Sequence, residues 1–269
     1  MLETIKYATI SNIYVKDLRF YDENKETELK EMCQDYGITY LPSKDRKSCY
    51  QLIENTFIKK ELTTDITCNP YDRIFDKSTL SKFENGNHDE VMFVVEDDKI
   101  KGVVHIVDYN SDFINFEFYK ATAYLERMLR KLLLAQNETN GTLLSWMLEK
   151  SKKSFFWKNR YANCVPEDDK RKEKLEQQRK DCNPFQTFFL NDLLMFAGSK
   201  RYVSAEFRRN CDAITNIRNW VAHNKDLTHK SKTDNHPLYK IKGLKEFVNN
   251  ANLFFKCYEE LEELVFTQR

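Results

Sequence analysis

The chain has 269 residues and a formal net charge of +1, with 41% hydrophobic and 32% charged residues. That composition supports a packed core and excludes wholesale disorder. No run of about 18 apolar residues occurs, which argues against a membrane-spanning helix, and six Gly with five Pro leave no glycine-rich phosphate loop of the G-x-G-x-x-G or P-loop kind.

The N-terminal stretch lacks a basic segment followed by an apolar one, so a secretory signal is not expected. Seven Cys, at 33, 49, 68, 164, 182, 211 and 257, are scattered and never form C-x-x-C. Such spacing gives neither a disulfide framework nor a zinc ribbon and fits a reducing cytoplasm.

In chain order, Tyr7 to Val15 has the β-branched and aromatic content of a strand. Asn24 to Tyr36 places Leu29, Met32, Cys33 and Tyr36 at helical spacing, and Gly37 stops that helix. Ile38 to Leu41 is a short strand ended by Pro42, Ser43 to Ser48 is a polar turn, and Cys49 to Ile53 is a second strand. The cycle returns with a strand at Val91 to Val95, a turn at Asp97-Asp98-Lys99, and a strand at Ile100 to Val107. Helix, strand, turn and strand occurring twice outline an internal duplication.

From Phe113 the pattern is helical only. Expected helices run over Asn115 to Gln136, Gly141 to Ser154, Pro184 to Phe196, Val203 to His223 and Gly243 to Phe266, with a polar connection at Ser151 to Asp181. About five helices predict an antiparallel bundle. The fold class is therefore an α+β domain over 1–112 followed by an all-α bundle over 113–269. Charge divides at the same place. Residues 1–112 carry 15 Lys and Arg against 22 Asp and Glu, a net −7; residues 113–269 carry 28 against 20, a net +8. A basic half attracts polyanions such as RNA, and the two halves also attract each other.

The sharpest local feature is Arg218-Asn219-Trp220-Val221-Ala222-His223, near the end of a helix. Asn219 and His223 are four apart and share a face. Arg218 lies about 140° around from His223, so the two flank one groove. An imidazole that titrates near neutrality beside a permanent cation suits phosphodiester chemistry. With no carboxylate cluster at metal-ligand spacing nearby, metal-free chemistry is expected. The same His also suits a plain helix-capping role.

These residues resemble the R-x4-H signature of HEPN-domain ribonucleases: Arg218, the polar Asn219 after it, small Val221-Ala222 and then His223. The stretch Tyr124 to Arg130 looks like that family's first helix, with Glu126 and Arg130 in typical places. The resemblance implies an all-α bundle over 113–269 and a homodimer that pairs two motifs in one groove. It implies endonucleolytic RNA cleavage leaving 2′,3′-cyclic phosphate ends. Within it His223 transfers protons, Arg218 binds the phosphate and Asn219 orients. A setting in antiviral defence or as a toxin follows from the family alone. The family also includes non-catalytic RNA-binding or dimerisation scaffolds and nucleotidyltransferases acting on a protein partner.

Glu28 to Phe57 resembles a CBS repeat, its Gly37-Ile38-Thr39-Tyr40-Leu41-Pro42 matching the G-h-x-x-h-P element. Val91 to Asn110 resembles the closing part of a second repeat. Paired CBS repeats imply regulation by a bound adenine nucleotide. Gly37, Pro42 and Asp108 would be its binding residues, although His105-Ile106-Val107-Asp108 has His where the family has a hydroxyl residue. A degenerate pair serving dimerisation fits these residues as well.

Weaker signals remain. Trp157-Lys158-Asn159-Arg160-Tyr161 interleaves aromatic and basic groups, as single-stranded RNA contacts do, or forms a loop anchored by Trp157. Arg209 extends the basic groove or forms a salt bridge. His229 and His236 make a poor metal site. Cys211 reads as a core thiol.

Overall fold

A computed structural model describes residues 2–85, 91–181, 184–223, 225 and 241–267. The chain opens with a short helix, α1 (Leu2–Lys6), and a single 3-10 turn at Ile10–Asn12. The strand expected over Tyr7 to Val15 does not form. The Thr9 N–H is taken by Asn12 Oδ1 at 2.8 Å, and such local bonding diverts the backbone from a ladder. Only isolated bridges remain, Thr9 to Arg73 and Val15 to Val103.

Helix α2 (Glu26–Tyr36) buries Leu29 and Cys33, one turn apart, and ends at Gly37. Gly37 has φ +65°, the left-handed C-terminal conformation that glycine adopts without a Cβ penalty. Strands β1 (Tyr40–Pro42), β2 (Ser48–Ile53) and β3 (Thr56–Glu61) form an antiparallel sheet in that order. Pro42 is tolerated because β1 is an edge strand. The outer strand β3 carries Lys59 and Lys60, exposed charges that discourage further pairing.

A second sheet follows. Strand β4 (Thr67–Cys68) pairs parallel with β5 (Met92–Glu96), helix α3 (Lys77–Asn85) lies between them in sequence, and β6 (Lys99–Val104) pairs antiparallel with β5. The β2–β3 and β5–β6 hairpins turn through two residues of positive φ, Glu54-Asn55 and Asp97-Asp98, the mirror turn whose twist matches paired strands. Tyr40, Cys49, Phe93 and Ile100 of the two sheets share one buried cluster. Gly102 of β6 lies hard against the Tyr14 ring and the Val15 carbonyl, so a Cβ there has no room.

From residue 112 on every regular element is helical. The helices are α4 (Asp112–Ala135), α5 (Asn140–Ser151), α6 (Phe155–Cys164), α7 (Asp169–Asp181), α8 (Leu190–Ser199), α9 (Ala205–Arg209), α10 (Cys211–Ala222) and α11 (Ile241–Phe266). Eight helices among the described residues replace the expected five. The polar connection at 151–181 contains α6 and α7. The helix expected over Val203 to His223 breaks at Asn210, whose φ of −100° and ψ of 4° leave helical geometry.

Compaction does not follow the change of pattern at 112. One compact unit comprises 1–119 with 219–252, the other 120–218 with 253–269, so the divisions fall inside α4, α10 and α11. In the first unit Phe75, Phe118 and Phe247 pack edge to face or tilted at 5.7–6.0 Å between centroids. The Asn252 amide donates to the Phe75 carbonyl at 3.0 Å, and Lys245 pairs with Glu84.

The second unit is centred on aromatic contacts of Trp146 with Trp157 and Phe196 and on one buried ion pair. Asp192, 2% exposed at its side chain, accepts from Arg160 Nε at 3.0 Å and from Nη2. It also accepts from the Phe189 N–H at 2.9 Å, closing the N-terminus of α8. The Arg160 guanidinium lies 3.7 Å from the Phe189 ring centroid. Six described cysteines, 33, 49, 68, 164, 211 and 257, are free and buried, and Cys182 lies outside the described residues. Among the described residues no helix is long and apolar enough to cross a membrane.

Two stability predictions follow from these contacts. Asp192→Ala leaves the Arg160 cation buried without its partner, and urea unfolding should show a loss of about 3–5 kcal/mol. Gly102→Ala should cost about 2–3 kcal/mol in the same measurement, because its methyl forces Tyr14 and Val15 aside.

Candidate functional site

Helix α10 is built by its own periodicity. Cys211, Ala213, Ile214 and Ile217 are buried, a stripe that fixes which side of the helix faces the interior. Arg218 and His223 are exposed, and Asn219 and Trp220 are partly so. Trp220 packs edge to face on Phe247 at 5.1 Å, within the first compact unit. The helix ends one residue before His223. The His223 N–H donates to the Asn219 carbonyl at 3.2 Å and the Lys225 N–H to the Trp220 carbonyl at 3.0 Å. Arg218, Asn219 and His223 thus occupy the last turn and a half of one helix and its first following residue. Chemically, this stretch offers a permanent cation, an amide and an imidazole on solvent-accessible backbone.

The other expected site residues have local partners. Gly37 caps α2 and carries no side chain toward anything; open space surrounds the position its Cβ would take. Pro42 closes β1 opposite Cys49, and its carbonyl accepts from the Tyr21 N–H at 2.9 Å. Asp108 lies in the 3-10 turn Ile106–Asn110 that follows β6. Its carboxylate accepts from the His105 N–H at 2.7 Å, while His105 Nδ1 accepts from the Val107 N–H at 3.3 Å. The reciprocal pair is a capping box in which an imidazole nitrogen replaces the usual hydroxyl. Gly37 and Pro42 therefore belong to the first sheet and Asp108 to the end of the second.

Burial pushes the Asp108 carboxyl up to about 6, only partly offset by the His105 N–H. The folded protein accordingly holds a proton on this group at pH values where the unfolded chain has lost it. Stability from this group is highest below pH 4 and falls as pH rises toward 6.

Glu126 and Arg130 of α4 form an i,i+4 ion pair, as such spacing favours. The stretch Trp157 to Tyr161 is part of α6, with Trp157 buried. Its Arg160 is committed to Asp192. The helix was hidden in the sequence because its charged residues interrupt the apolar pattern. Arg209 is exposed on α9 and forms no ion pair among the described residues. Burial pushes the Cys211 thiol up to about 11, which suits a core thiol rather than a nucleophile. His229 and His236 lie outside the described residues. Among the described residues no group of three His, Cys, Asp or Glu is arranged to hold a metal ion.

What the sequence reading missed is a cavity of about 240 Å³ in the second unit, bounded by α5, α6, α8, α9 and α10. The signal available beforehand was Trp146 and Lys150, one helical turn apart. No family model, curated protein or solved structure matches the chain.

The effect of Asp108 is separable from that of other carboxylates by comparing wild type with Asp108→Asn. Between pH 4 and pH 6.5 the variant should gain about 1–2 kcal/mol relative to wild type in denaturant titrations, the residual solvent exposure of the site reducing the full shift.

Proposed function

We propose that this protein is a metal-independent endoribonuclease of the HEPN type that acts as a homodimer. The observation that carries the proposal is the exposure of Arg218 and His223 at the end of α10, while the helix's apolar positions are buried.

In the proposed reaction His223 removes the proton from a ribose 2′-OH. The 2′-oxygen attacks the adjacent phosphorus, and the P–O5′ bond breaks. The departing oxygen takes a proton from His223 of the partner subunit, which leaves a 2′,3′-cyclic phosphate and a 5′-OH. Arg218 neutralises charge gathering on the phosphoryl oxygens, and Asn219 holds the strand by hydrogen bonding. The α+β half is proposed as a CBS-like regulatory region for an adenine nucleotide. Its support is the repeated helix-to-hairpin outline, α2 into β1–β2 and α3 into β5–β6.

Purified wild type should cut RNA in EDTA and leave cyclic-phosphate ends. His223→Ala should lower the cleavage rate by about 10²–10⁴-fold. Because the side chain is exposed, its unfolding free energy should stay within about 0.5 kcal/mol of wild type. Wild type that binds RNA without ever cutting it would place the protein with the scaffolds. Radiolabelled nucleotide attached covalently to a protein would place it with the transferases.

A further inference from the structure

The cavity in the second unit has a composition that selects its occupant. Its walls are Trp146, Trp157, Leu194 and Met195, and the exposed Lys150 and Arg208 complete the lining. The two indoles meet edge to face at 4.8 Å, an apolar corner in which one ring face at a time can meet a flat ligand. Lys150 Nζ stands 5.9 Å from the Trp146 ring centroid.

The two charged groups that line this surface, Lys150 and Arg208, are both cations and both donors. The Trp146 Nε1–H is buried and has no hydrogen-bond partner, and an indole nitrogen can only donate. Ser199 Oγ already donates to the Phe196 carbonyl at 2.8 Å. No Asp or Glu lines the cavity, and among the described residues neither Lys150 nor Arg208 is paired with a carboxylate.

The position of Arg208 is built into the fold. Its Cγ and Cδ occupy the space beside Gly198, 3.0 and 3.3 Å from where a Cβ would lie. The absence of a side chain at 198 lets the arginine stem lie flat along α8 and reach the cavity. Two cations beside an aromatic wall suit an anion attached to a flat ring.

We propose that this cavity binds a small planar ring compound carrying a carboxylate or phosphate group. The ring lies against the Trp146 indole beside Trp157, and the anion is held by Arg208 and Lys150. The site is independent of the ribonuclease reading and stands or falls without it.

The chain has three Trp, so the indole N–H region of a ¹⁵N–¹H correlation spectrum has few signals, and Trp146→Phe assigns the relevant one. Titration of the full chain with 2-naphthoate and with 2-naphthyl phosphate should shift the Trp146 indole signal saturably, and the tighter of the two identifies the anion preferred. At equal concentration, 2-naphthalenemethanol, acetate and inorganic phosphate should bind at least tenfold more weakly. Arg208→Met with Lys150→Met should weaken the ring anion at least tenfold. If the double variant loses its dispersed spectrum, each single variant is compared instead, with about a threefold loss expected. Absence of a saturable shift with both ring anions overturns the proposal. So does equal binding of the neutral alcohol, or affinity unchanged by the substitutions in a folded variant.

Discussion

Burial of one side of α10 is the constraint on which the candidate chemistry depends. Cys211, Ala213, Ile214 and Ile217 leave water together, each fully buried branched side chain being worth about 1.5–3 kcal/mol. Rotating the helix to bring Arg218 or His223 inward would expose that stripe and bury a cation. Neither side chain therefore needs a dedicated hydrogen bond to stay at the surface. The orientation is set from behind, by apolar contacts.

The N-terminal half shows how motif residues can be absorbed by local structure. Gly37 supplies a left-handed cap, Pro42 ends an edge strand, and Asp108 closes its own turn. Each role is complete without a ligand. The His105 imidazole takes the place of a hydroxyl and preserves the turn. It also makes the turn's acceptor an unprotonated nitrogen, since Nδ1 receives the Val107 N–H. The neighbouring buried carboxyl of Asp108 places a second titratable group in the same turn.

The helical half separates two uses of basic residues that look alike in sequence. Arg160 is buried, doubly bonded to Asp192 and stacked on Phe189, so it organises α6 against the start of α8. Arg208, by contrast, is exposed and laid across a glycine beside an aromatic cavity. Both follow aromatic or apolar neighbours in the sequence. Only the presence of a buried carboxylate opposite one and its absence opposite the other distinguishes them, and that depends on residues 32 positions away in the first case.

The amino-acid sequence alone determined the elements whose physics is local. The helix over 26–36 with its Gly37 stop, the strands β1, β2, β5 and β6 with the turns between them, the change to helix at 112 and the amphipathic stripe of α10 all rest on periodicity, turn residues and caps within a few positions. The tertiary structure decided what depends on distant partners. The Ile10 N–H donates to the Asp72 carbonyl at 2.9 Å, which ties the Thr9 segment to a loop distant in sequence instead of to a strand. Trp157 and Arg160 of α6 find their partners on other helices, Trp146 and Asp192, which the polar pattern at 151–181 did not show. Contacts drew the compact units across α4, α10 and α11 instead of at the change of composition. The cavity of Trp146 and Arg208 belongs to this second kind, because five helices must meet before a donor-lined hollow exists.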